Sequence, residues 1–416
     1  MKKCLLLLVT SLGLALQLRA HISHGTCGDG VIYVYDDDTR KMLISGNGPM
    51  YDYDQYNVGP FYGLSHHMHT LVIEHGVTHI GNRAFWGCYS LTGRISLPMS
   101  VTSIGDEAFY ACNYLSSLEL SPSIVTIGDN AFASCSGMEG NLVLPDCLES
   151  IGDGAFSGCK KFSGDLLIPN SVKSIGRNAF AGCEGFNGKL VLGSSLENIG
   201  EYAFSGGTNF IGELSIPSSV TKIGRYAFDG NNGLVGSIVV PEGVTEIEDG
   251  VFRSCSGITS VTLLGQVTRL GNSAFHHCSA LTEIVCYSTT PPDAVSFHVF
   301  DNTALKTIYV PSQSLDLYKS TAVWENYEIL PIEGNGIDKH DYDDQTSVVF
   351  QDGILKISVG EGCLRGAAIM SMSGGEVLSC ETKTSAMTLN VSSMPSGVYL
   401  IVVDVDGTQY NYKVRW

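Results

Sequence analysis

"IGDEAFYAC", residues 104–112, returns with small changes as "IGDNAFASC" at 127–135, "IGDGAFSGC" at 151–159 and "IGRNAFAGC" at 175–183. Aligned on its phenylalanine the motif occurs nine times, at Phe85, Phe109, Phe132, Phe156, Phe180, Phe204, Phe228, Phe252 and Phe275, at intervals of 23 or 24 residues. A fixed period of about 20 to 29 residues marks a stacked array in which each unit buries its apolar side only against its neighbours. Three residues before the Ile or Leu of each motif stands a second apolar residue, as at Val101, Ile124, Leu148 and Val172. Both positions are expected to be rungs of the core.

Downstream of each motif comes a short alternating run closed by Pro or Gly: "NLVLP" at 141–145, "DLLIP" at 165–169, "KLVLG" at 189–193 and "ELSIP" at 213–217. Alternation over four or five residues is the pattern of a strand, and a terminal proline, with no N–H to donate, stops it lengthening. Stacked once per coil, these strands are expected to form a parallel sheet with a spacing of about 4.8 Å. The 24-residue copies carry an extra glycine before the strand (Gly93, Gly140, Gly164, Gly188, Gly212 and Gly236). Glycine tolerates the dihedrals of a bulge, so the insertion reads as a local loop adjustment and not a loss of register.

This pattern resembles the leucine-rich repeats of the BspA type, over about residues 25 to 332. The resemblance includes an N-terminal cap beginning "GTCGDGVIYVYDDDTRKMLISG" and a closing unit, "LKTIYVPSQSLDLYKSTAVWENYEILPIE". It implies a leucine-rich-repeat solenoid with a parallel β-sheet on one face and short helical or irregular turns on the other. Within the cap, "YDDDTR" (35–40) lies between two strand-like runs and reads as a hairpin turn.

Past residue 332 the repeat ends. Residues 333–347, "EGNGIDKHDYDDQTS", read as a linker, and 348–416 hold alternating strands separated by glycine-containing turns, the pattern of a small antiparallel β-sandwich. These strands resemble the type A C-terminal sorting domain of the type IX secretion system of Bacteroidota. Its "P-x-G-x-Y" strand is matched by Pro395, Gly397 and Tyr399, and its basic ending by Lys413 and Arg415; Trp416 departs from the usual terminal Lys. The resemblance implies passage across the outer membrane by that secretion machinery and attachment at the cell surface. At the other end, Lys2 and Lys3, the apolar run Leu5 to Leu16 and Ala20 have the form of a secretory signal peptide over residues 1–20. The expected order is therefore signal peptide 1–20, cap 21–76, solenoid with closing unit 77–332, linker 333–347 and sorting sandwich 348–416. No segment beyond the signal has the roughly 18 apolar residues of a membrane span.

A net charge of −18 and the lack of a basic stripe argue against nucleic acid as a partner. Seven copies carry Cys three residues after the Phe: Cys88, Cys112, Cys135, Cys159, Cys183, Cys255 and Cys278. Stacked cysteines leave their Cβ atoms too far apart for easy bridging and do not converge as a tetrahedral metal set, so reduced, buried thiols are expected. The column breaks at Gly207 and Asn231, and Cys363 with Cys380 is the pair a disulfide would join. His66, His67, His69, His75 and His79 crowd together without a carboxylate or cysteine set of metal spacing. No metal or cofactor is expected, and no nucleophile elbow, phosphate loop or dinucleotide fingerprint points to an enzyme.

What remains is the strand surface. Between core positions the outward column includes Glu119, Val143, Leu167, Val191, Val239, Val285 and Tyr309, with Thr262 also in it, and the flanking column includes Asp165, Lys189, Glu213 and Ser260. Val143, Leu167 and Val191 form an apolar stripe with polar neighbours, the form of a protein-binding face. The family resemblance implies adhesion to host extracellular-matrix proteins, such as fibronectin or fibrinogen, or to other bacteria. The alternative is a non-catalytic surface protein that captures a glycan or peptide for uptake.

Overall fold

The computed structural model describes residues 22–332 apart from 208 and 295, then 337–340, 346–351, 354–359, 363–371, 376–391, 394, 398–406 and 408–415. The chain forms two compact units, the first of 1–308 with 320–328, the second of 309–319 with 329–416. The signal segment 1–20 lies outside the described residues.

The first unit begins with a cap of three antiparallel strands, Ile22–Gly28, Val31–Asp36 and Lys41–Gly46. The expected hairpin turn is present, with Asp36 opposite Lys41. Parallel coils follow. Their longest ladder runs through the motif's own first residues: eight strands, from Gly48–Pro49 and Val77–Ile80 through Ser103–Ile104, Ser150–Ile151 and Ser174–Ile175 to Lys222–Ile223, in unbroken parallel order. The alternation that places these isoleucines in the core is too short to announce a strand in sequence. The pairing comes from stacking, because identical residues in identical conformations bring each N–H to the next coil's carbonyl.

The glycine after the isoleucine is required by that approach. A Cβ built on Gly176 would lie 2.5 Å from both the Gly152 carbonyl carbon and the Asp153 nitrogen. Glu248 is the exception in this column, and its carboxylate pairs with Arg225 and Arg269 at 3.6 Å. The aspartate that follows the glycine has an equally mechanical role. Asp106 Oδ1 accepts the Asp129 N–H at 2.8 Å, Asp129 Oδ1 that of Asp153 at 2.7 Å, and Asp153 Oδ1 that of Arg177 at 2.6 Å. Each carboxylate thus satisfies a backbone donor that the turn would otherwise leave without a partner.

The expected irregular turns carry the phenylalanines inward. Eleven rings, from Phe61 through the nine motif residues to Phe300, form one continuous stack with centroids 5.2 to 5.9 Å apart. These separations exceed the strand repeat of about 4.8 Å, so the rings are offset, the arrangement their quadrupoles favour by about 0.5–1.5 kcal/mol per pair beyond burial. Phe61 and Phe300 extend the array past the copies recognised in sequence, since Leu64 and Thr303 stand where those copies have cysteine.

All seven column cysteines are buried and unbridged. Their thiols serve as donors. Cys112, Cys135, Cys159 and Cys183 Sγ–H groups point to the carbonyls of Phe85, Phe109, Phe132 and Phe156 at 3.0 to 3.3 Å, each in the preceding coil. At the break in the column Asn231 substitutes, its Nδ2 donating to Phe204 O at 3.0 Å. Its Oδ1 is buried without a hydrogen bond and lies 2.8 Å from where a Cβ on Gly207 would be. The two departures are therefore one arrangement: the larger amide at 231 needs the missing side chain at 207. Burial pushes the Cys88 and Cys183 thiols up to about 12.

On the other long side the alternation holds and the sheet does not. Leu142 and Leu144, Leu166 and Ile168, Leu190 and Leu192 are buried on either side of the exposed Val143, Leu167 and Val191. Pairing is interrupted: it joins Gly93–Ser96 with Leu115–Glu119, Glu139–Gly140 with Lys161–Phe162, Leu166–Leu167 with Leu190–Val191, and Val235–Val240 with Gly257–Leu263 and then Glu283–Cys286. Residues 141–145 and 213–217 are extended without a ladder. Next to the paired residues 166–167 and 190–191, Asp165 Oδ1 takes the Lys189 N–H at 2.7 Å. The bulge glycines behave as expected at Gly93, Gly140, Gly164, Gly212 and Gly236, with φ between 77° and 85°, and Gly188 is not among the positive-φ glycines.

The second unit contains two antiparallel sheets. Five strands run in the order Ile337–His340, Thr408–Arg415, Val398–Val405, Leu364–Ser371 and Glu376–Thr384; three more are Thr346–Gln351, Ile354–Val359 and Ala386–Asn390. Leu355, Ile357, Leu364, Ile369, Ile401 and Val403 are central to the core. Ile337–His340, in the stretch read as linker, pairs with Asn411–Val414. Cys363 and Cys380 are unbridged. Cys380 pairs with Ala367, four residues from Cys363, a distance of roughly 13 Å along a strand and beyond disulfide reach.

Candidate partner-binding surface

The coils hold the candidate residues in two adjacent columns. Val143 is 73% exposed, Leu167 54% and Val191 45%, although each sits between side chains exposed by 8% or less. Leu167 and Val191 are direct partners in the parallel register, so their side chains stand side by side. Asp165, Lys189 and Glu213 are exposed beside them. Glu119 is exposed as well, but it is already engaged by Arg94 and by the Ser96 hydroxyl at 2.6 Å. The Ser96 hydrogen bond first, and then the Arg94 charge, hold its carboxyl below the usual range.

The outward column closes toward the later coils. Val239, Val285 and Tyr309 are half-buried, and Tyr309 belongs to the second compact unit. Thr262 and Ser260, which the alternation places outward, are buried. Thr262 lies between Val239 and Val285 in register, and Ser260 is hydrogen-bonded to the Ser237 hydroxyl at 2.7 Å. Larger neighbours on a flat sheet are enough to shield a small side chain.

Two residues missed in sequence enlarge the apolar area. Ile211 and Val235 are 52% and 45% exposed. They precede the bulge glycines 212 and 236, where earlier coils carry Thr92, Glu139, Ser163 and Asn187. Reading that column down the repeats, instead of the strand column alone, would have found them.

The histidines disperse. His66 stacks on Tyr89, His69 Nε2 meets Arg40 at 3.1 Å, and His79 bridges Ser103 and Asp52 at 2.7 and 3.2 Å. Among the described residues no group of His, Cys, Asp and Glu is disposed to hold a metal ion. Of the sorting motif, Tyr399 is buried in the second unit, and burial raises its phenol. Lys413 and Arg415 lie on the strand Thr408–Arg415, while Pro395, Gly397 and Trp416 lie outside the described residues.

Residues 59–187, 139–212 and 197–322 match the BspA-type leucine-rich repeat region in six copies. The chain belongs to the BspA-type leucine-rich repeat family. Residues 351–415 match the secretion system C-terminal sorting domain, the type IX kind. That domain implies export to the cell surface, and among the described residues no helix is long and apolar enough to cross a membrane. Members of this repeat family are typically non-catalytic and bind proteins. No curated protein matches the chain. Similar solved structures include a leucine-rich repeat protein of Eubacterium ventriosum, 24% identical over 74% of this chain and 85% of that one, with a TM-score of 0.46. Another, from Bacteroides ovatus, is 21% identical over 73% and 99%, with a TM-score of 0.29. The pneumococcal vaccine antigen PcpA is 20% identical over 75% and 99%, with a TM-score of 0.28.

Proposed function

We propose that this BspA-type protein is an adhesin and not an enzyme, and that it binds a host matrix protein or another bacterium's surface protein through the outward side of coils 141–145 to 189–193. The proposed layout is a cap over 21–76, the solenoid over 77–332 and a sorting sandwich over 348–416 that delivers it to the surface. One observation carries the reading: three successive coils present Val143, Leu167 and Val191 to solvent over about 10 Å, flanked by Asp165 and Lys189. Apolar side chains held outward between buried neighbours on the same segment lose little conformational freedom on binding, so their burial goes largely into affinity. The polar flank supplies the rim that such interfaces have.

The test is direct binding of the full chain to immobilised fibronectin and fibrinogen by surface plasmon resonance, with Leu167→Asp alongside. Saturable binding that the variant weakens tenfold or more supports the reading. Binding to either protein that Leu167→Asp leaves unchanged places the interface elsewhere on the chain.

A further inference from the structure

At the start of the array the cap loop Tyr53–Gly59 lies against the turns of the first coils. It is internally braced: Asp54 Oδ1 accepts the N–H groups of Tyr56 and Asn57, both at 2.7 Å, and the Tyr53 N–H donates to Asn82 O at 3.0 Å. Two clefts flank it. One, of about 320 Å³, is lined by Tyr53, Asp54, Gln55, Tyr62, Arg83 and Trp86 among others. The second, of about 410 Å³, shares Tyr53, Asp54, Gln55 and Arg83 and adds Tyr56 and Asp106 among its walls. Both are in the size class of small-ligand sites.

Tyr62 and Trp86 wall the first cleft and begin an aromatic row that runs on to Tyr110 beyond its lining. Tyr62, Trp86 and Tyr110 stack with centroids 6.1 Å apart at each step and interplanar angles of 21° and 6°. They occupy the position just after the stacked phenylalanine, where the next four coils have Ala133, Ser157, Ala181 and Ser205. The column is therefore aromatic where the cap loop lies against it and small beyond. Among the described residues no other ring stacks on Tyr62, which is 55% exposed, so its outer face is free.

Three of the polar groups around this wall are unspent. Among the described residues the Trp86 indole N–H, the Tyr62 hydroxyl and the Gln55 amide make no hydrogen bond. Arg83 is neutralised by Glu107, its Nη2 donating to both carboxylate oxygens at 2.9 and 2.8 Å. The backbone N–H groups of Asn57 and Tyr56 hold the Asp54 carboxyl below its usual range, so it remains an ionised acceptor. Asp54, Asp106 and Glu107 together repel an anion. A cation would meet rings that stack on each other instead of closing into a cage, with Arg83 beside them. A ligand that suits an aromatic face and a ring of amide and carboxylate acceptors, without net charge, is a sugar: its C–H face packs on the ring while its hydroxyls pair with the side chains around it.

We infer that the cap loop and the Tyr62–Trp86 wall form a binding site for a neutral oligosaccharide. The site is separate from the sheet face and does not depend on that face binding a protein. The experiment is a glycan array of neutral, sialylated and sulfated oligosaccharides probed with the full chain, followed by calorimetric titration of any hit, with choline as a further probe. Binding of one or more neutral glycans is expected, weakened tenfold or more by Trp86→Ala, about fivefold by Gln55→Ala (one lost hydrogen bond), and unaffected by Val191→Asp. Gln55 is exposed, so its variant decides the matter even if Trp86→Ala disturbs the first coil. Binding of acidic glycans or choline alone, of no glycan, or of a neutral glycan equally to wild type and both variants overturns the assignment.

Discussion

On one long side of the coils Ser150, Ser174 and Asn198 pair residue to residue in an unbroken ladder. On the other, pairing at 166–167 and 190–191 stops within a coil of either end. The first side carries the glycine that every coil but that of Glu248 keeps and the aspartates that hold the next coil's backbone, and its exposed residues, such as Glu149, Lys173 and Glu197, are polar. The second carries less of this backbone work, as in the Asp165 bond to the Lys189 N–H, and exposes Val143, Leu167 and Val191. On the proposed reading, work that fixes the shape and work that meets a partner fall on different sides, and the second can vary with less cost to the fold.

The comparison breaks most visibly in the shared core between the sides. Phe180→Ala removes a ring stacked on Phe156 and Phe204 at 5.4 and 5.6 Å and should cost about 3–5 kcal/mol in urea unfolding, enough to split the array's transition. Next in size is the paired departure of the cysteine column. Gly207→Cys drives a Cβ against Asn231 Oδ1 and Phe210, and should cost about 1–3 kcal/mol. Adding Asn231→Cys restores the pattern of Cys159 and Cys183 and should return most of that loss, a coupling of about 0.5–3 kcal/mol in a double-mutant cycle.

A smaller effect is set by pH. A buried thiol holds its proton more tightly than in the unfolded chain, so the stability it contributes is intact below the ordinary value of 9.0 and is lost as pH rises toward about 12. Urea midpoints in reducing buffer should fall progressively above pH 9, and at pH 8 a thiol reagent should modify the exposed Cys380 before any of the column cysteines. A flat alkaline profile, or early labelling of Cys135, would contradict the buried donor role. The smallest effect on stability is expected from Val191→Asp, within about 0.5 kcal/mol for an exposed site.

The array and its core were legible in the sequence because nine copies of one motif average out local ambiguity. Ile175, Phe180 and Cys183 each recur at the same phase, and stacking admits one arrangement for them. The ladder through Ser174–Ile175 was not legible, because two residues carry no period and the pairing exists only between coils. The thiol hydrogen bonds escaped for a similar reason: a buried cysteine reads as a small hydrophobe until its neighbour's carbonyl is in place. Val191 was found by alternation, whereas Thr262 follows the same alternation and is shielded by residues 23 positions away in either direction, Val239 and Val285. The aromatic wall lay outside the strand columns altogether, and only the cap loop's path connects Gln55 with Trp86.

The division of labour between the two sides is tested most directly by measuring partner binding with matched variants, Val191→Asp and Lys173→Asp, each exposed and each on its own side. Lys173→Asp changes the charge more, so a merely electrostatic partner would be lost more readily with it. The account predicts that, in the same fibronectin and fibrinogen assay, Val191→Asp abolishes binding while Lys173→Asp retains it, both variants melting with the wild type. Equal loss from both, or loss from Lys173→Asp alone, would contradict it.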